Sequence, residues 1–366
     1  MLRHVKLILF AAQILVVLLS SAVVAVSATD QVSDQIFRET DSLNNRAIDE
    51  VKSHQYSEAV DLLKRAIALR PDVAMVHYNL GCVYELQNQF ALAVEAFKET
   101  VSLSPAFADA HHHLGLSYNR MGRYAIAIEC FKRALQLQPD RADSLTELGF
   151  SYSQEGRAEE AVEACTEAIR IKPDLGDAYN NLGIAYFKLG QLGKAIESLE
   201  HARLLQPEYT DVYENLGYAY AEAARLDESI GAYTQALSLK PDNPKVLNNL
   251  GMAYCSRRDY RRAIEFLRRA VRLTPAESVV HYNLAYALTK AGRQKQAIES
   301  YKQALLLKPE FAEAHNNLAI LYLQRGERAL ALDQYSLLKM IDYKMSEQLF
   351  AAIFKDKILS VVPPSQ

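Results

Sequence analysis

The stretch AYNNLGIAYFKLGQLGKAIESLEHARLLQP, residues 178–207, carries the pattern on which the fold turns. Tyr179, Leu182, Gly183 and Tyr186 fall at i, i+3, i+4 and i+7, one apolar face of a helix. A second stripe, Ala195, Leu199 and Ala202, predicts another helix over about Leu192–Leu205. Gly190 lies between them, where the chain must reverse, and suits a left-handed backbone. Pro207 is expected to stop the second helix and Asp211 to cap the next. Asn180 and Asn181 stand out mid-helix, because asparagine is a mediocre helix former used mostly in caps and turns.

The same layout recurs along the chain. Pro71, Pro105, Pro139, Pro173, Pro207, Pro241, Pro275 and Pro309 are spaced 34 residues apart without an insertion. Gly81, Gly115, Gly149, Gly183, Gly217 and Gly251 share one phase of this lattice; Gly122, Gly156, Gly190, Gly292 and Gly326 share another. A fixed period of this length marks stacked supersecondary units. Ala47, Ala285 and Ala319 replace the first glycine elsewhere, so the position stays small and lets the paired helix come close.

The recurring aromatic-x-x-Leu-Gly-x-x-Tyr, followed by Ala, a bulky apolar residue, Ala and Pro, resembles the tetratricopeptide repeat (TPR) family. Nine repeats fit, at residues 40–73, 74–107, 108–141, 142–175, 176–209, 210–243, 244–277, 278–311 and 312–345. The resemblance implies an all-α fold, a right-handed TPR superhelix (α-solenoid) of helix-turn-helix repeats. Departures fall at the ends, as in terminal repeats: Arg46 and Glu50 replace Leu and Tyr, and Leu338 and Tyr343 replace Ala and Pro. Leu349, Phe350, Ile353 and Phe354 predict a capping helix over 346–360, ahead of a disordered tail at 361–366. The 21 tyrosines also find a reason, since Tyr84, Tyr118, Tyr152, Tyr186, Tyr220, Tyr254 and Tyr322 form one core column.

Residues 1–28 follow different rules. Arg3, His4 and Lys6 precede an apolar run from Leu7 to Val26, and small residues at 26–28 flank a cut before Thr29. This is the layout of a signal peptide, although residues 7–26 are also long enough to remain as a membrane anchor. Under either reading residues 29–39 are an N-terminal extension and the repeats are exported, periplasmic or secreted. The net charge of −3 speaks against nucleic acid as a partner. Cys82, Cys130, Cys165 and Cys255 are too few and too scattered for a disulfide framework and read as reduced packing residues.

No site for chemistry emerges. Successive histidines at 111–113 point 100° apart on a helix and cannot share one ion. His77, His111, His281 and His315 fill an aromatic position that Tyr179 and Tyr213 fill elsewhere. The chain holds no Walker loop, HExxH or GxSxG. We therefore expect no enzyme activity, cofactor, metal or small-molecule substrate. One basic run departs from the background: Arg257, Arg258, Arg261, Arg262, Arg268, Arg269 and Arg272, against Asp259 and Glu265. It reads either as a solvated face or as a docking patch for acidic protein or anionic lipid, which would make the chain an accessory subunit of a membrane or envelope enzyme complex.

Asn181 lies 200° around its helix from Tyr179 and Gly183, on the side that lines the concave groove in the TPR family. Its row continues as Asn215, Asn249, Asn283 and Asn317, preceded by Asn45, Asn79, His113 and Glu147. The five consecutive asparagines are similar to the row in the TPR superhelix of O-linked N-acetylglucosamine transferases. A column of amides can hold a peptide backbone or bond to the adjacent repeat. Asp177 and Asp211 add an acidic edge that favours a basic ligand. The Lys/Asn/Lys/Arg clamp of TPR co-chaperones is not completed by any three successive repeats. The expected function is a scaffold that binds an extended protein segment in its groove.

Overall fold

The computed structural model describes residues 34–354, and every regular element among them is a helix. The signal or anchor segment and the tail at 361–366 lie outside the described residues. The chain divides into two compact units, one ending at Pro173 and one beginning at Asp174.

In the N-terminal unit α1 covers 34–52. It is followed by α2 (Tyr56–Leu69), α3 (Ala74–Leu86), α4 (Phe90–Leu103), α5 (Ala108–Arg120), α6 (Tyr124–Leu137), α7 (Ala142–Gln154) and α8 (Ala158–Ile171). Consecutive helices pack in pairs, and the pairs stack through contacts such as α4 with α5 and α6 with α7.

The C-terminal unit repeats the scheme with α9 (Gly176–Lys188), α10 (Leu192–Leu205), α11 (Thr210–Glu222), α12 (Leu226–Leu239), α13 (Pro244–Ser256) and α14 (Tyr260–Leu273). It continues with α15 (Ser278–Lys290), α16 (Gln294–Leu307), α17 (Ala312–Gln324), α18 (Arg328–Ile341) and α19 (Tyr343–Phe354). The fold is an all-α TPR solenoid, in which each pair buries an apolar face it could not bury alone.

The turn inside each repeat is a Schellman motif. After α9, Gly190 N–H donates to Phe187 O and Gln191 N–H to Tyr186 O, both at 2.9 Å, which satisfies two orphan carbonyls. The motif requires a left-handed residue, and Gly190 has φ 70°. His54, Asn88, Ala224 and Arg258 take the same conformation at other turns without being glycine. Close pairing depends on the small column: a Cβ on Gly183 would sit 2.6 Å from Leu199 Cγ.

Two local expectations need correction. Asp211 does not cap α11, because the helix begins at Thr210 and Asp211 already lies in its first turn. The terminal helix starts at Tyr343 and not at 346, since Asp342 Oδ1 accepts the N–H of Met345 at 2.9 Å and fixes the start. α19 packs on α17 and α18, burying Leu349 and Ile353. The tyrosine column is buried at Tyr84, Tyr118, Tyr152, Tyr220, Tyr254 and Tyr322, and Tyr186 is half-buried.

Candidate functional site on the first helices of the repeats

The asparagine row is not a uniform surface. Asn181, Asn215 and Asn249 are half-buried, Asn283 is 3% exposed and Asn317 is fully buried. Its members reach back to the preceding repeat. Asn215 Nδ2 donates to Asn180 Oδ1 at 2.9 Å, and Asn283 Nδ2 donates to Asn248 Oδ1 at 2.8 Å. Asn317 Nδ2 donates to the Tyr282 hydroxyl at 3.0 Å and lies 3.3 Å from that of Tyr301. In the N-terminal unit Asn79 Nδ2 donates to Asn44 Oδ1 in the same register. Asn180 is thus the acceptor that completes the pair in its row.

Between α11, α13 and α15 the chain encloses a cavity of about 330 Å³. Asn249 and Asn283 line it beside Tyr218, Met252, Val279 and Tyr286, with Glu222 the acidic group. Tyr218 and Val279 are exposed, an uncommon state for side chains of this size. The Oδ1 of Asn283 is buried and has no hydrogen-bond partner among the described residues. Leaving a buried acceptor unmade costs about 1–3 kcal/mol. The cavity therefore combines an apolar wall with two amide residues, Asn249 half-buried and Asn283 almost wholly buried. Asp177 and Asp211 are exposed in the first turns of α9 and α11, and Asp177 lines a separate hollow with Gln206, Pro207, Glu208 and Tyr209.

The N-terminal unit fills the same row differently. Glu85 pairs with His113 Nδ1 at 2.8 Å and accepts from Ser117 Oγ at 2.7 Å. One repeat later Ser151 Oγ donates to Asn119 Oδ1 at 2.8 Å, and Asn119 Nδ2 donates to Glu147 at 3.2 Å. His113 and Glu147 are therefore tied into bonds between repeats.

His112, Ser144 and Asp143 assemble what resembles a catalytic triad. His112 Nδ1 lies 2.8 Å from Ser144 Oγ, and its Nε2 lies 3.6 Å from Asp143 Oδ2. Ser144 is fully buried, so no substrate reaches its hydroxyl, and the arrangement is packing. Burial pushes the His112 imidazole down to about 4, against the opposing pull of Asp143.

Four other histidines clasp the loops between repeats. The Nε2 of His77, His111, His281 and His315 bonds the carbonyl of Pro71, Pro105, Pro275 and Pro309, at 2.8 to 3.0 Å. Tyr213 does the same to Pro207 through its hydroxyl at 3.0 Å. This explains why one position accepts either residue. Among the described residues no group of three His, Cys, Asp or Glu side chains is placed to hold a metal ion. All four cysteines are free, and burial pushes each thiol up to about 12. No helix among the described residues is long and apolar enough to cross a membrane.

The basic run divides in space. Arg257 pairs with Asp227 at 2.8 Å, Arg262 approaches Asp259 at 3.6 Å, and Arg258 forms the left-handed turn. Arg261, Arg268, Arg269 and Arg272 instead line a cleft with Ile264 and Glu265, joined by Arg293. Arg293 escapes a reading of the run because it lies in the next repeat.

Comparison with known proteins agrees with this architecture. The family model described as "Cilia and flagella-associated protein 70 C-terminal domain" matches residues 106–320, well over half of the chain. A tetratricopeptide repeat model matches residues 44–110. No curated protein gives a significant sequence match. A tetratricopeptide repeat protein from Parabacteroides merdae superposes with a TM-score of 0.57 at 14% identity, over 69% of this chain and 99% of that one. The pilF protein of Pseudomonas aeruginosa gives 0.50 at 21% identity, over 55% of this chain and 92% of that one. At these identities the two likenesses speak for the fold alone. The chain belongs to the tetratricopeptide repeat family, in the group described by the C-terminal domain of cilia and flagella-associated protein 70.

Proposed function

We propose that this interaction scaffold binds an extended peptide across α11, α13 and α15. The observation that carries the reading is the cavity itself, walled by Tyr218, Met252, Val279 and Tyr286 with the amides Asn249 and Asn283 in its lining. An apolar ligand side chain fills the space between the tyrosines, and the half-buried Asn249 is the amide within reach of the ligand backbone. Asn181, Asn215 and Asn249 order the wall of the groove, while Asp177, Asp211 and Glu222 favour basic residues on the ligand. Asn317, being fully buried, serves the packing of the last repeats. Five net hydrogen bonds at about 0.5–1.5 kcal/mol each fall short of the roughly 8 kcal/mol of micromolar binding. The apolar cavity must therefore supply much of the affinity.

The test is selection of twelve-residue peptides from a random display library on the full chain, followed by measured affinities for Met252→Glu and Val279→Glu. Val279 is exposed, so its variant should keep the wild-type melting temperature, whereas Met252 packs against the core and its variant should lose some stability. Binding should weaken at least about tenfold in both. Selected peptides that bind both variants as tightly as the wild type would refute the site.

A further inference from the structure

The second helices carry their own charge pattern. Along most of them a basic residue is paired with an acid three positions away: Glu95–Lys98, Glu129–Lys132, Arg157–Glu160, Glu167–Arg170, Glu200–Arg203 and Arg225–Glu228. α14 keeps only one loose pair of this kind, Arg262 with Asp259 at 3.6 Å, at its start. Glu265 and Arg268 have the spacing of Glu95 and Lys98, yet Arg268 turns to Gln296 Oε1 at 3.1 Å. Arg269 donates to Pro241 O at 3.1 Å. Among the described residues the side chains of Arg261, Arg272 and Arg293 have neither an ion pair nor a hydrogen bond. Five arginines with one carboxylate thus converge on a cleft of about 360 Å³, floored by the buried Ile264.

We propose that this cleft is a second binding site, separate from the groove on the first helices, and that it takes an acidic peptide segment. Arg261, Arg268 and Arg272 lie seven and then four positions apart, on one face of α14. At 1.5 Å per residue the stripe is roughly 16 Å long, which an extended segment of about five residues spans. A single phosphate ion cannot touch both ends. A flat lipid surface cannot enter a cleft between two helices. The basic lining on α14 is entirely arginine, whose planar fork grips carboxylates with two bonds where lysine offers a point charge.

A fluorescein-labelled peptide of ten glutamates, titrated with the full chain and read by anisotropy, tests the site. It should bind at low salt and weaken as ionic strength rises toward about 0.15 M. The triple variant Arg261→Gln, Arg272→Gln and Arg293→Gln removes only side chains that bond to nothing else. It should lose at least about tenfold in affinity with an unchanged melting temperature. A control, Lys98→Gln, Lys132→Gln and Arg170→Gln, makes the same change in charge elsewhere and should bind as the wild type does. Equal losses in the two triple variants would assign the effect to mean charge and overturn the site. Absence of peptide binding would overturn it as well. Arginine-dependent retention on phosphatidylserine vesicles without peptide binding would show that the cleft faces a membrane. Displacement of the peptide by equimolar inorganic phosphate would show a site for single anions.

Discussion

Asn283 donates its side-chain N–H to Asn248 Oδ1 at 2.8 Å, from thirty-five positions further along the chain. Asn215 with Asn180, Asn79 with Asn44 and Asn317 with Tyr282 keep the same step. A column that looks like a ligand ladder is thus also a set of ties between neighbouring repeats.

The first expectation concerns those ties. Asn317→Ala removes the buried amide that bonds the Tyr282 and Tyr301 hydroxyls, a loss of about 1–3 kcal/mol. Met252→Ala, half-buried on the wall of the groove, should cost less than Asn317→Ala. Urea midpoints compare the two, and an Asn317→Ala protein as stable as the wild type would remove the structural role.

Acid should weaken the N-terminal unit. The folded His112 has its imidazole held at about 4 against an ordinary 6.5, with Asp143, His113, Arg141 and Glu85 around it. Between those values the unfolded chain takes up a proton that the folded chain refuses. Stability is therefore full above about pH 6.5 and falls as the pH drops toward 4, by about 1.4 kcal/mol per unit. His111, also depressed by burial, acts in the same direction. Asp143, held below its ordinary value beside Arg141, adds a loss only at still lower pH. Urea unfolding at pH 7 and pH 5 should show the drop, and His112→Gln should reduce it. An unchanged slope in that variant would assign the effect elsewhere.

Ala224 has φ 56° where most other repeats carry glycine. A left-handed non-glycine residue costs about 1–2 kcal/mol. Replacement by glycine returns part of this to chain entropy. Ala224→Gly should raise the stability by about 0.5–1 kcal/mol, and Gly292→Ala, at φ 73°, should lower it. Melting curves showing both variants unmoved would mean that the turn holds no strain.

Gly149 and Cys165 form a coupled pair, because a Cβ at 149 would meet Cys165 Sγ at 2.3 Å. Gly149→Ala should destabilise by about 1–3 kcal/mol through overpacking. Adding Cys165→Ala clears the clash, so the double variant should be more stable than the sum of the singles implies. Simple additivity would show that the two helices separate freely.

The helices were legible because every repeat restates the same spacing, and Gly190 marks its turn without ambiguity. The partner of each asparagine was not. A helical wheel gives the side on which Asn181 or Asn283 lies, but not whether a neighbouring helix already occupies that side. Asn180, seemingly incidental, proved to be an acceptor for Asn215. The arginine run was visible, yet its division was hidden, since Arg257 meets Asp227 from the repeat before and Arg293 enters from the repeat after.

The proline clasp selects a tautomer. A carbonyl oxygen only accepts, so the bonded Nε2 of His77 or His281 must carry its hydrogen. The loops between repeats are therefore latched by one tautomer, with the hydrogen on Nε2 facing the proline carbonyl. Tyr213 holds its loop through a hydroxyl donor to the same carbonyl, which makes histidine and tyrosine interchangeable latches there.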